Sequence, residues 1–286
     1  MKRILAFILI FVLSLSLTTR AEEQKQARVV LGADLTESQR DEVYALLGVT
    51  RGSVTELTMT NAAERSYLEG SVPDEQLGTR SISSVFLEET DGENSVKTAN
   101  INWCTESMYL SAMATAGIGH VSIRVAAPFE VSGTAALAGI YMAYEDMTGV
   151  QLGEAEKQAG IQDLLIAGQL SEELGGDEAM TLVTELKLML TDTLNMSDAE
   201  LTDKIDELAG EYKITLNDYQ REKLLELCRS LEKLDPDTLR EKVEGVKNTL
   251  EKMGEWKDKA VSFWDALIAF FRAIGEFIAK ITEIFK

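Results

Sequence analysis

Residue types able to do chemistry are few and scattered in this chain. His120 is the only histidine, and its place between Gly119 and a predicted strand offers it as a general base. A lone histidine at a strand start is more often a hydrogen-bonded structural residue. Cys104 and Cys228 are the only cysteines, far apart in sequence, so a disulfide framework is excluded. Two buried reduced thiols are the simpler reading, with a single disulfide as the alternative. One imidazole and two separated thiols cannot assemble an ordinary zinc site, and no metal site is expected. The nucleophile elbow Gly-x-Ser-x-Gly, the phosphate loop, the dinucleotide fingerprint and the calcium loop are all absent. No cofactor and no catalytic residue are expected, and the balance is against an enzyme.

Polar residues do gather near predicted strand ends, where open α/β sheets hold ligands: Asn61, Glu64, Asn102, Thr105 and Glu106. Asn102 beside Trp103 could hydrogen-bond and stack a sugar-like molecule, although Trp103 as core is the better reading. The candidate ligand set is therefore Asn102, Trp103, Glu106 and His120. Asp91, Glu93 and Asn94 offer oxygens for a weak calcium ion, against the commoner reading of a solvated turn. Ser132-Gly133-Thr134 precedes a helix and could hold a small anion, but the same residues also make an ordinary cap.

The elements that must position these residues alternate in type up to about residue 154. Arg28–Leu31 is an apolar strand turning at Gly32, and Thr36 with Gln39 forms a capping box for a helix ending at Gly48. Val54–Thr60 alternates with the period of a half-buried strand, and Asn61 caps a short helix through Tyr67 and Leu68. Ser81–Glu88 and Val96–Ile101 read as strands joined by the Asp91-Gly92 turn. A helix over Thr105–Ala116, a strand over His120–Ala127 and a helix over Gly133–Met147 complete an α/β sandwich. Beyond residue 154 strand signals stop. Capping boxes at Ser197/Glu200 and Thr215/Asp218, and Pro236 in a first helical turn, predict antiparallel helices. Leu216, Tyr219, Leu224, Leu227 and Leu231 form the stripe of a packed bundle.

The last segment differs. Phe263, Trp264, Leu267, Phe270, Phe271, Ile274, Phe277, Ile278, Ile281, Ile284 and Phe285 make one wide apolar stripe along a predicted helix of about 45 Å. Burying these side chains is worth on the order of 15 to 30 kcal/mol as an upper bound, too much to leave in water. Membrane insertion is disfavoured by Arg272 and Glu276, which would lie near mid-membrane, and the charge balance lacks the cationic excess that anionic lipid selects. At the other end, Lys2 and Arg3 precede the apolar run Ile4–Leu13, and Thr19-Arg20-Ala21 offers small residues for cleavage after Ala21. Loss of that leader would remove three of 28 basic residues and none of 48 acidic ones, leaving a formal charge of −23. So acidic a surface repels nucleic acid, and no nucleic-acid partner is expected.

One set of segments carries a resemblance: Val30-Leu31-Gly32-Ala33-Asp34-Leu35-Thr36, Asn100-Ile101-Asn102-Trp103, Thr115-Ala116-Gly117-Ile118, Ala127-Pro128 and Val131 through Gly139. Over roughly residues 28–250 the chain resembles the bacterial family catalogued as domain of unknown function 1002, the YpuA-like secreted proteins of Gram-positive bacteria. The family's usual acidic pair appears here as Ala63-Glu64 ahead of Leu68, one acid being replaced by alanine. The resemblance implies secretion but no activity, cofactor or catalytic residue. The aromatic C-terminal stripe lies outside its motifs.

The sequence therefore predicts a signal peptide over 1–21, an α/β (or α+β) domain over 22–153, a helical extension over 154–254 and a long amphipathic helix over 255–286. The expected function is that of a secreted or cell-envelope-associated interaction module, extracellular or in the cell-wall zone. Its C-terminal helix would dock on a protein partner, on itself or peripherally on a membrane. The alternative is an enzyme or ligand-binding protein acting on envelope material through the polar strand ends. The plainest competing reading folds the stripe back over the chain's own helices.

Overall fold

The structure is a computed structural model that describes residues 26–68, 72 and 79–253. The expected signal peptide and C-terminal amphipathic helix lie outside the described residues. Five strands form one sheet: β1 (Ala27–Gly32), β2 (Thr55–Met59), β3 (Ser84–Glu89), β4 (Ser95–Ile101) and β5 (Val121–Val131), in the order β2-β1-β3-β5-β4. β1 runs parallel to β2 and β4 parallel to β5, while β3 is antiparallel to both of its neighbours. Four strands thus point one way, and their carboxyl ends share one edge.

Helix α1 (Glu37–Leu47) links β1 to β2 and covers one face, where Val43, Tyr44 and Leu47 pack with Val29, Leu31 and Phe86. The Thr36/Gln39 capping box forms as expected, and Gly48 closes the helix at φ 64°. The alternate residues of the same strands, Val30, Val85 and Leu87, face the opposite side. That side is covered by α3 (Glu106–Thr115) and α4 (Ala136–Thr148). Helix α2 (Asn61–Leu68) follows β2 and packs against α4.

Several boundaries depart from the sequence reading. The short helix α2 begins at Asn61, and Thr60 caps it, its Oγ1 accepting from Ala63 N at 3.1 Å. Strand β5 continues past Ala127 through Pro128 to Val131. Proline costs nothing there, because pairing with β3 stops at Ser84↔Ala126 and the β4 register shifts between Ala99 and Ile101. The strands joined by Asp91-Gly92 are not neighbours, since β5 lies between them. Helix α4 starts at Ala136, three residues after Gly133, whose φ of 91° breaks the chain direction.

The remaining helices are α5 (Glu154–Leu174), α6 (Gly176–Leu188), the single turn α7 (Leu190–Thr193), α8 (Asp198–Glu211), α9 (Asp218–Leu231) and α10 (Pro236–Met253). The Ser197/Glu200 box forms, and Pro236 opens α10. The second predicted box is displaced by two residues: Asn217 and Gln220 cap α9 reciprocally at 2.9 and 2.8 Å, because the helix starts at Asp218. Leu216, Leu224, Leu227 and Leu231 are buried as their stripe predicts, whereas Tyr219 is exposed. Both cysteines are free and buried, and burial raises each thiol to about 12.

Helix α5 packs along α3, so one apolar cluster runs from the sheet into the helices without interruption. Inside it lies a charged group that the sequence does not advertise. Lys187 Nζ on α6 donates to Asp163 Oδ2 on α5 at 2.7 Å and to Ser111 Oγ and Thr115 Oγ1 on α3 at 2.6 and 3.1 Å. All four residues are at most 2 % exposed. A second such pair, Lys247 with Glu185 at 3.1 Å, joins α10 to α6.

Candidate functional site

The carboxyl edge of the sheet is where the chain brings unlike polar groups together. β1 ends at Gly32, and a Cβ there would stand 2.4 Å from the Ser81 carbonyl oxygen, so only glycine lets the two segments touch. That contact seats Asp34 against Ser81. Asp34 N donates to Ser81 O at 3.1 Å, and Ser81 N donates to Asp34 Oδ2 at 2.7 Å. Arg80 donates to the Asp34 carbonyl at 3.3 Å. Ala33 N bonds Met59 O at 2.8 Å, which draws the end of β2 and the start of α2 to the same place.

Asn61 and Glu64 stand three residues apart on α2 and therefore on one face of it. Glu64 is 1 % exposed. Burial raises its carboxyl to about 7, opposed by a hydrogen bond with Ser81 and by the charge of Arg65, and reinforced by the charge of Asp34. Arg65 Nε donates to Asn61 Oδ1 at 3.3 Å, which turns the amide nitrogen the other way. Among the described residues, Asn61 Nδ2 and Glu64 Oε2 are buried atoms with no hydrogen-bond partner. The sequence offers Asn61 and Glu64 as strand-end polar residues, but it carries no sign that Asp34, Arg80 and Ser81 join them.

The four residues of the predicted ligand set fall at two ends of the sheet. Asn102, Trp103 and Glu106 follow β4 at the carboxyl edge. Trp103 is half-buried against Gly168 of α5 and donates to Glu172 Oε1 at 2.5 Å, while Glu106 accepts from Lys97 Nζ at 3.1 Å and from Thr98 N at 3.3 Å. His120 precedes β5 at the amino edge, beyond about 20 Å of strand. Its φ is 59° and its Nδ1 lies 3.3 Å from Gly92 O. It lines a groove of 340 Å³ with Asp91, Glu93, Asn94 and Lys242, and Asn102 and Glu106 are not part of that groove. Among the described residues no group of three or more His, Cys, Asp or Glu side chains could hold a metal ion. Thr134 is buried and hydrogen-bonds the Cys104 thiol, a packing role for part of the Ser132–Thr134 turn.

Ser111 and Lys187 have the separation of a nucleophile and its amine base. They cannot act as one in this structure, because Ser111 is fully buried and Asp163 holds the ammonium. The exposed Ser197 hydroxyl donates to Glu200 Oε2 at 2.7 Å, but that pair is the cap of α8.

The family model of the protein of unknown function DUF1002 matches residues 31–253. The chain belongs to the DUF1002 family. It is also 32% identical over 258 residues to the uncharacterized protein YpuA of Bacillus subtilis (strain 168), a match covering 88% of each chain. No solved structure matches it. In the DUF1002 fold seen here, four of the five segments that carried the resemblance meet at the carboxyl edge, at the ends of β1, β4 and β5 and the start of α4. Thr115–Ile118 lies at the other edge.

Proposed function

We propose that this DUF1002 protein is a secreted or envelope-associated interaction module that docks on a partner through the apolar stripe of residues 263–285. The supporting observation is the state of the rest of the molecule. Among the described residues the large apolar side chains left exposed are Leu46, Phe129, Val150 and Tyr219, which belong to four different segments. They form no patch able to receive eleven large apolar side chains. Helix α10, which leads into the stripe, already has Leu239, Val243, Val246 and Leu250 buried against its own neighbours. A stripe with no seat among the described residues calls for a cover from a second copy, another protein or lipid.

The test compares the chain from residue 22 to 286 with one ending at Gly254 by oligomeric mass and by flotation with vesicles of neutral and of anionic lipid. Self-association, or lipid binding confined to the longer chain, is expected. Two chains that behave alike, both monomeric and both free of lipid, would sink the proposal.

A further inference from the structure

The pair of buried atoms left unmatched at the start of α2 does not depend on the terminal helix. Glu64 Oε2 is a hydrogen-bond acceptor and Asn61 Nδ2 a donor, both on one face of α2 and both without partners among the described residues. Unmatched buried polar atoms are costly enough that they usually mark a missing partner. The charges around them are already engaged: Asp34 by Ser81 N, Arg65 by Asn61 Oδ1, and Arg80 by the Asp34 carbonyl. Among the described residues two acids and two bases meet at this corner, and they balance when Glu64 is ionised. What the two unmatched atoms lack is one donor and one acceptor on the same small group.

A hydroxyl is that group, because its oxygen accepts from an amide while its hydrogen donates to a carboxylate. An ammonium cannot accept and a phosphate dianion cannot donate. The position agrees with this chemistry, since open sheets of largely parallel strands bind ligands outside their carboxyl ends. Asp34 and Arg80 are exposed, Asn61 is half-buried and Glu64 is buried. We infer that the carboxyl edge between β1, β2 and α2 binds a neutral sugar, one hydroxyl of which bridges Asn61 and Glu64.

The probes are glucose, N-acetylglucosamine and, as a non-sugar polyol, myo-inositol, presented to the full chain and followed by saturation-transfer NMR and calorimetry. At least one sugar should bind, and Asn61→Asp, which turns the donor into an acceptor, should weaken it about tenfold or more. A new carboxylate beside Glu64 also threatens the fold, so Glu64→Met, which removes the buried charge, is the second variant and should weaken the same sugar. Binding of myo-inositol alone would show a polyol site and overturn the assignment to sugars. Absence of binding by all three up to about 10 mM, meaning that the pair holds only solvent, would overturn it too. So would sugar binding that survives in both folded variants.

Discussion

Glu64 shows how one residue can govern the pH response of the fold. Its carboxyl is raised from 4.5 to about 7, so the folded chain holds this proton more tightly than the unfolded chain does. The resulting penalty is fully present above about pH 7, shrinks as pH falls towards 4.5, and vanishes below that. A shift of this size corresponds to about 3 kcal/mol. Glu64→Gln is therefore expected to stabilise the protein by that order at pH 8 and by much less at pH 5, as read from urea midpoints. Equal gains at both pH values would show that the side chain titrates normally. The two thiols give a second residue-level prediction. Buried and raised to about 12, Cys104 and Cys228 should resist a thiol reagent in the native protein and react, two per chain, in denaturant. Asn61 and Glu64 were legible in the sequence as polar residues after a strand. Their burial was not, because Asp34 and Ser81, 47 residues apart, must meet before the corner closes.

Among helices and strands, signals between residues close in sequence are legible and those between distant residues are not. The boxes at Thr36/Gln39 and Ser197/Glu200 involve residues three apart and needed no tertiary knowledge. The competing Asn217/Gln220 box lay within two residues of the predicted one, and two overlapping cap patterns cannot be ranked by pattern alone. Nothing in the helical periodicity revealed that Lys187 and Asp163 face inward, since a charged residue is normally placed on the solvated side. Their group joins α3, α5 and α6, so Lys187→Ala should cost about 3 to 5 kcal/mol by leaving Asp163 buried and unpaired. Replacing both, as in Lys187→Met with Asp163→Leu, should recover much of that loss, and a denaturation cycle of single and double variants would measure it. Gly168 supplies a packing prediction on α5. A Cβ there would stand 2.3 Å from the Trp103 ring, so Gly168→Ala should push the indole out, cost about 1 to 3 kcal/mol and shift its fluorescence.

For the whole molecule, the alternation of strands and helices followed by helices alone was readable from composition and period. The order of the strands was not. β3 and β4 are adjacent in sequence with a Gly-containing turn between them, which normally reads as a hairpin. The sheet instead admits β5 between them, because residues 121–131 are the longest strand and carry Val121, Ile123 and Val125 into the shared core. That insertion has a consequence in time. When β3 and β4 have been synthesised they have no edge to share, and the gap between them is filled only once residue 131 is available. Closure of the sheet must therefore wait for a strand that comes last, and rapid pairing of neighbours would be a wrong turn. Refolding should accordingly show a single slow closure event that forms the β3–β5 and β4–β5 ladders together, with amides of both becoming protected from hydrogen exchange at the same moment. On the secreted route proposed above, a chain exported as an unfolded thread would keep that sheet open for the whole passage, and reach its native form only after the strand that bolts the other two apart has arrived.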